Sequence, residues 1–223
     1  MSSDPDFATA AILLADPSRA AMLARLLDGR SWTATELAKA AAISPSTGSS
    51  HLARLLERGW VAVHPQGRHR YYRLSGETVA SFLEGFACLS PDPAARTPGE
   101  ARASQALRHC RLCYDHLAGR LGVALTQGLL DRQWLDPSFQ ITEAGRVGLA
   151  SLGLEPPLEQ GRGCMDWSER RLHLAGPLGR SLAGALMNAQ WLQRDPRNRA
   201  LWVTPRGGDG LRAFLGGDFE ASG

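Results

Sequence analysis

The chain lacks any run of about 18 consecutive apolar residues, so we expect no membrane-spanning helix. It also lacks an N-terminal basic segment followed by an apolar core, so we expect no signal peptide. Four cysteines in 223 residues are too few for a disulfide scaffold, which favours a cytoplasmic protein with reduced thiols. Lysine is nearly absent: Lys39 stands alone among many arginines, a bias that a GC-rich genome explains by itself.

Composition places the chain among ordinary globular proteins. Apolar residues make up 43% of the sequence and charged residues 21%, and the formal net charge is only +3. So small an excess of cations does not by itself indicate a nucleic-acid partner, and the placement of the cations must decide. The length suffices for two modest domains, each large enough to bury a core.

One segment in the first third of the chain carries the most informative pattern. Ser44 can cap a helix that has Pro45 at its first position, and Gly59 can end that helix. Two short β runs, near 60–64 and 69–74, follow the helix and are joined by a basic loop. This outline predicts a winged helix-turn-helix, in which one helix enters the major groove and a basic hairpin lies beside it.

Hydroxyl, imidazole and guanidinium groups in this segment are of the kinds that contact base edges and phosphates in duplex DNA. A solvated polar helix face with ordinary hairpin charges is the alternative interpretation. If the groups do contact phosphates, DNA affinity should fall steeply with salt. The predicted DNA-contacting residues are Ser46, Thr47, Ser49, Ser50, His51, Arg54, Arg68, His69 and Arg70.

Apolar periodicity and helix start signals outline the rest of the N-terminal domain. Helices are predicted at 6–15, from Pro17 to about Asp28, from Thr33 or Thr35 onward, at 45–58 and at 76–88. The fold class is therefore mainly α with small β-hairpins (α+β). The predicted organisation is a winged helix-turn-helix domain at 1–90, a linker at 91–100 rich in proline, and a C-terminal domain at 101–223.

Residues 10–88 resemble the ArsR/SmtB family of bacterial winged-helix repressors. The matching segments, in the order of the family, are 14–19, 36–38, 43–47, 51–55 and 67–72. The resemblance implies a homodimer formed largely through the first and fifth helices. It also implies a pseudo-palindromic DNA operator near a promoter and an inducer that releases the protein from DNA.

The sequence departs from this family at informative positions. Gly48 replaces the usual valine of the recognition helix, which costs up to about 1 kcal/mol of helix stability relative to alanine. Ser50 replaces a common histidine. The arsenic motif Cys-x-Cys is absent from 33–36, and 76–88 lacks the spaced Asp and His of the zinc site on the fifth helix. Neither familiar metal site of the family is therefore predicted.

The second half contains an internal repeat. Residues 116–122 recur at 173–179, and further matches such as Trp134 with Trp191 keep the same offset of 57. We expect two degenerate winged-helix-like units, at about 108–158 and 164–217, that pack as a pseudo-symmetric pair. Each is predicted to run helix, turn, helix, Trp-containing strand, hairpin, strand and helix. Because they lack a basic, hydroxyl-rich helix face, we do not expect them to touch DNA.

Cysteine and histidine accompany this repeat. Residues 110–116 are predicted as a helix that places Cys110, Cys113 and His116 at successive turns. Since His116 and His173 are repeat-equivalent, pseudo-twofold packing would bring them together, with Cys113 and Cys164 nearby. The candidate residues for metal or thiol sensing are Cys110, Cys113, His116, Cys164 and His173.

Three interpretations of these residues stay open. Thiolate and imidazole suit a soft or borderline metal ion such as zinc, copper(I) or mercury, and the same thiols can be redox-reactive beside histidine. Alternatively, the cysteines are small apolar fillers of a core, and no cofactor is bound. In the third interpretation Trp134, Trp167 and Trp191 line a pocket for a small organic ligand, although tryptophan more often anchors hairpins.

The function that these patterns favour is a dimeric transcriptional repressor, released from its DNA operator by an effector sensed in the C-terminal domain. The effector is a small molecule, a metal ion or a redox change, and no membrane partner is expected. One alternative is an enzyme that uses Cys113 or Cys164 with a histidine base. Another is a protein-interaction module on a winged-helix scaffold. The sequence has no phosphate-binding loop, Gly-x-Ser-x-Gly elbow or His-Glu-x-x-His motif, so we do not expect an enzyme.

Overall fold

The N-terminal helices begin at the residues that their capping signals indicate. A computed structural model describes residues 7–90, 97–154 and 160–216. The side chain of Asp16 accepts from the Arg19 N–H, and Thr33 and Glu36 form a reciprocal capping box. The elements are α1 (Phe7–Leu14), α2 (Pro17–Leu26), β1 (Trp32–Thr33), α3 (Ala34–Ala40), α4 (Pro45–Glu57), β2 (Val61–Gln66), β3 (His69–Leu74) and α5 (Glu77–Ala87).

The wing is an antiparallel sheet in the order β1-β3-β2. Gly67, at a φ of 59°, makes the turn between β2 and β3, where a side chain would be strained. The two predicted strands are confirmed. The short strand β1 was not predicted, since two residues paired with Tyr71 and Tyr72 leave no periodic signal in the sequence.

The core of the N-terminal unit lies where α2, α3 and α4 meet. Its fully buried side chains are Met22, Leu23, Leu26, Leu37, Leu52 and Leu55. The chain divides into two compact units between Ala80 and Ser81, so the division falls inside α5. Among the described residues no single helix is long and apolar enough to cross a membrane, and α1 with α2 reaches that length only as a pair bent by 86°.

Part of the predicted linker 91–100 is helical. Residues 91–96 lie outside the described residues. Thr97 and Glu100 form a second capping box, and Pro98 occupies the first turn of the helix that follows. Residues 98–100 therefore belong to a helix, because the Thr-x-x-Glu capping pattern overrides the proline and glycine around it.

The second unit consists of two copies of one motif. Each copy begins with a β-hairpin, continues with a long helix and ends with a short antiparallel pairing and a second helix. Helix α6 (Pro98–His109) precedes the first copy. The first copy consists of β4 (Arg111–Cys113), β5 (His116–Ala118), α7 (Gly119–Asp131) and α8 (Glu143–Ser151). The second copy consists of β6 (Arg162–Met165), β7 (Leu172–Ala175), α9 (Gly176–Asn188), β8 (Leu192–Arg194), β9 (Leu201–Val203) and α10 (Pro205–Leu215).

This order corrects the predicted one. The expected first helix of each copy is a hairpin. Trp134 and Trp191 each lie just before a bridge or strand and not within it, so the predicted Trp-containing strand is wrong. The long helix and the last helix of each copy are as predicted. The predicted helix through 110–116 is wrong. Cys110 already has extended dihedrals, and Tyr114, at a φ of 64°, makes the tight turn between β4 and β5.

The two copies share one hydrophobic core. α7 of the first copy packs on β7 of the second, and α9 of the second packs on β5 of the first. Leucines from both copies fill the space between these layers, together with Trp191 and Phe214. Because each helix covers the hairpin of the other copy, neither copy can bury its apolar face alone. This exchange places the two hairpins side by side.

Candidate functional site

The first half of α4 presents a polar surface. The Ser44 hydroxyl accepts from the Thr47 N–H at 3.2 Å, which fixes the first turn of the helix. The Ser49 hydroxyl donates its proton to the Pro45 carbonyl at 3.0 Å, so both lone pairs of its oxygen remain available as acceptors. The predicted α4 residues that are exposed are Ser46, Thr47, Ser49, Ser50 and Arg54.

His51 does not belong to that surface. Its side chain is buried, with Nδ1 3.2 Å from Nη1 of Arg19 and Nε2 3.6 Å from Oδ1 of Asp16. His51 lies about one helical turn after Gly48, on the buried side of α4 that also carries Leu52 and Leu55. The structure therefore places His51 in the packing between α4 and α2, and not on the polar surface with the other predicted α4 residues.

The tip of the wing is basic and exposed. Arg68, His69 and Arg70 all lie at the surface, and Nε of Arg68 is 3.4 Å from Nε2 of His69. Gly67 holds the turn, and the antiparallel ladder from Val61 to Leu74 keeps the tip away from the core. The structure thus exposes all three wing residues that the sequence singled out.

A second group of chemically active side chains lies in the C-terminal unit. Its members are Cys113, His116, Cys164 and His173, which we call the Cys/His cluster. Their four ligand atoms lie within 4.8 Å of one another, and all four residues are buried. The Sγ atoms are 4.0 Å apart, and the two Nε2 atoms are 3.1 Å apart. The predicted approach of His116 to His173 is confirmed.

Hairpin register explains how the Cys/His cluster forms. In β4–β5, Cys113 pairs directly with His116, and in β6–β7, Cys164 pairs directly with His173. Each copy of the repeat therefore contributes one cysteine and one histidine from facing positions. Cys110 is not a member: the structure places it in the hydrophobic core, fully buried and apart from the four clustered side chains.

Comparisons with known proteins identify the N-terminal unit. The family described as "Helix-turn-helix domain" matches residues 14–64. An "Uncharacterized HTH-type transcriptional regulator", YdfF of Bacillus subtilis (strain 168), is 37% identical over 213 residues, which cover 92% of this chain and 94% of that protein. The chain belongs to the HTH-type transcriptional regulators. The predicted identity as a helix-turn-helix transcriptional regulator is confirmed.

Solved structures align with a smaller part of this regulator. HlyU from Vibrio cholerae N16961, in its reduced form, is 28% identical and covers 37% of this chain and 86% of its own, with a TM-score of 0.34. An ArsR-family transcriptional regulator is 31% identical and covers 39% of this chain and 88% of its own, with a TM-score of 0.32.

The electrostatics of the Cys/His cluster in this regulator favour a thiolate at Cys164. The Cys113 thiol donates toward Cys164, and this hydrogen bond lowers the pKa of Cys164 against the effect of burial, aided by both imidazoles. The same bond and burial raise the pKa of Cys113. Burial alone would lower the pKa of His116, but hydrogen bonds with Asp115 and Cys164 outweigh it and raise the pKa.

A carboxylate stands behind each imidazole. Oδ1 of Asp115 lies 3.1 Å from Nδ1 of His116, and Oδ2 of Asp166 lies 3.3 Å from Nδ1 of His173, off the line of a hydrogen bond. Burial would raise the pKa of Asp166, but His173 and Arg111 hold it well below its usual range. Sequence reasoning missed Asp115, Asp166 and Arg111, although Asp115 directly precedes His116 and Asp166 follows Cys164 by two residues.

Proposed function

We propose that this regulator binds duplex DNA through the exposed side chains of α4 and through the β2–β3 wing. The observation that carries the proposal is the joint exposure of hydroxyl and guanidinium groups at the start of α4 and at the wing tip. Short hydroxyl side chains and arginine suit base edges and phosphates. The proposed contacts are Ser46, Thr47, Ser49, Ser50, Arg54, Arg68, His69 and Arg70.

The regulator acts, in this proposal, as a homodimer that represses transcription where its operator overlaps a promoter. Support comes from apolar side chains left exposed on the two helices that the ArsR resemblance assigns to the dimer. α1 exposes Phe7 and Ile12, and α5 exposes Phe82 and Phe86, whose rings stack with centroids 6.1 Å apart. Large apolar side chains left exposed on helices are typical of protein–protein interfaces.

An effector sensed in the C-terminal unit is proposed to release the DNA. Arg199 forms an ion pair with the buried Glu84 of α5 and donates to the Leu112 carbonyl at 3.1 Å. Leu112 precedes Cys113 of the Cys/His cluster. A change in the β4–β5 hairpin can therefore reach α5, the helix in which the two compact units meet along the chain.

Gel shifts over a range of salt concentrations test the DNA interface, with the upstream region of the regulator's own gene as probe. Arg54→Ala and Arg68→Ala should each lower affinity about fivefold or more, and loss of a phosphate contact should reduce the salt slope by about 1. Arg212→Ala, which removes an exposed arginine from α10, serves as the matched control and should bind as the wild type does. Wild-type affinity and slope in both test variants would refute the interface.

Burial of the Cys/His cluster argues against the alternative of a thiol-dependent enzyme. Cys113, His116 and His173 are each at most 2% exposed, so a substrate would have to displace the hairpins to reach them. A protein-interaction module without DNA binding is separated from the present proposal by the same gel shifts.

A further inference from the structure

We propose that Cys113, His116, Cys164 and His173 bind one zinc ion, held jointly by the two copies of the repeat. This site goes beyond the proposed function and is argued without reference to DNA. Two thiolates and two imidazoles form a donor set that suits tetrahedral zinc, and the four groups converge from two hairpins that are already fixed by their own ladders.

The spacing of the ligand atoms fits this ion. With zinc–sulfur bonds of about 2.3 Å and zinc–nitrogen bonds of about 2.0–2.1 Å, a tetrahedron has edges of about 3.8 Å between sulfurs and about 3.3 Å between nitrogens. The observed separations are 4.0 Å and 3.1 Å. Since all four atoms lie within 4.8 Å of one another, closing the remaining edges takes a contraction of roughly 1 Å.

The imidazoles are oriented as metal ligands are. Both histidines turn Nε2 toward the thiols and Nδ1 toward a carboxylate, Asp115 for His116 and Asp166 for His173. For His116, a hydrogen bond from Nδ1 to Asp115 leaves Nε2 free of its proton for the ion and strengthens the donor. Asp166 provides a negative charge beside Nδ1 of His173, without an aligned hydrogen bond. Asp166 is itself fixed by Arg111 at 3.0 Å and by the Gly119 N–H at 2.7 Å.

Burial distinguishes a metal site from a packing cluster. Around the four ligands lie the small side chains Ala118 and Ala175, which contribute one methyl group each. Burial of two thiols and two imidazoles together removes polar groups from water, which is unfavourable compared with burial of apolar side chains of the same size. Binding of a cation offsets that cost and joins the β4–β5 hairpin to the β6–β7 hairpin, so zinc would clamp the two copies together.

Metal analysis of the full-length regulator, purified under reducing conditions and dialysed against limiting zinc, tests the site. Wild-type protein should hold one zinc per chain, and cobalt(II) in its place should give the intense visible bands of a tetrahedral ion with thiolate charge transfer. Cys113→Ala removes a ligand and should lower zinc affinity by more than the roughly 10- to 100-fold that loss of an outer-shell partner causes. Cys110→Ala removes a buried thiol just before the same hairpin, so it is the matched control and should keep both metal and spectrum.

Two further measurements keep the test informative if Cys113→Ala does not fold: one on a positioning variant and one on the wild type. Asp115→Ala removes the partner of His116 Nδ1 from a partly exposed position, and zinc affinity, measured by chelator competition, should fall about 10- to 100-fold. Chelation of the wild type should lower its thermal midpoint, and zinc should restore it.

Three results would overturn the proposal. The first is substoichiometric zinc in the wild type together with a cobalt spectrum lacking thiolate bands. The second is equal zinc affinity in Cys110→Ala and Cys113→Ala. The third is a Cys113–Cys164 disulfide in protein kept reduced throughout, since oxidised sulfurs cannot serve as thiolate ligands.

Discussion

At the scale of single residues, Arg19 is the side chain that holds the N-terminal helices together. Its guanidinium donates to the Leu13 carbonyl at 3.0 Å and to the Ile12 carbonyl at 2.8 Å, and so caps the end of α1. Its Nη1 lies 3.2 Å from Nδ1 of His51. Because arginine only donates, Nδ1 must accept, and the ring proton then lies on Nε2, toward Asp16.

His51→Ala is therefore expected to affect folding more than DNA contact. Loss of the acceptor leaves Nη1 of the buried guanidinium with only its 3.7 Å ion pair to Asp16, which should lower the free energy of unfolding by about 1–3 kcal/mol. Chemical denaturation measures this loss, while gel shifts at several salt concentrations should show an unchanged slope. Arg54→Ala should leave the free energy of unfolding unchanged and reduce the salt slope of DNA binding. If His51→Ala kept its stability but lost salt dependence, the histidine would belong to the DNA surface after all.

At the scale of elements, glycine decides how closely helices pack. A Cβ on Gly48 would lie 2.8 Å from the Cβ of Ala38, so α3 and α4 approach more closely than a side chain there allows. The valine that is usual in ArsR regulators does not fit this packing without a shift of the helix. The absence of valine thus follows from helix packing.

The two copies of the repeat use the same device. In α8, a side chain on Gly148 would overlap the indole of Trp134, and in α10 a side chain on Gly210 would overlap the indole of Trp191. Each tryptophan therefore lies flat against a helix that carries glycine at the contact. By contrast, Gly184 in α9 has open space around its missing Cβ.

Alanine substitutions at Gly210 and Gly184 should change the stability of the C-terminal unit in opposite directions. Gly210→Ala should destabilise the C-terminal unit by about 1–3 kcal/mol, because it overpacks the indole of Trp191. Gly184→Ala should stabilise it by up to about 1 kcal/mol, because alanine is the better helix former and meets no neighbour. Thermal unfolding of the two variants beside the wild type checks both signs, and equal effects would contradict the packing described.

At the scale of the whole molecule, a buried ion pair joins the two copies. Arg111 of the first copy lies 3.0 Å from Asp166 of the second and 3.1 Å from the Ser168 hydroxyl, and neither member of the pair is exposed. The guanidinium carbon also lies 4.4 Å from the centroid of a Trp167 ring. Such a pair adds specificity to the pairing of the copies only while both charges are present.

Removal of one partner should therefore be costly. Arg111→Met leaves the buried Asp166 carboxylate without its guanidinium partner and should lower the free energy of unfolding by up to about 3–5 kcal/mol, since the Gly119 N–H still donates to it. Adding Asp166→Asn, which keeps an acceptor for the Gly119 N–H, should recover part of that loss. Denaturant titration of the single and double variants measures the coupling. Strictly additive losses would mean that the two charges do not act as a pair.

Local signals in the sequence determined much of this regulator. Ser44 and Pro45 start α4, Thr33 with Glu36 starts α3, and alternating residues with a glycine turn make the wing, because caps and turns depend on neighbours in the chain. The offset of 57 likewise revealed the repeat and the meeting of His116 with His173.

Tertiary structure alone decided which of these residues face inward and which meet. The three-residue step from Cys113 to His116 suits one helical turn and also a tight hairpin, and only packing against α9 of the other copy selects the hairpin. The same offset of 57 would pair Cys113 with Arg170. The structural counterpart of Cys113 is instead Cys164, because Cys164 is the cross-strand partner of His173 just as Cys113 is the cross-strand partner of His116. Strand register depends on long-range contacts and not on spacing along the chain.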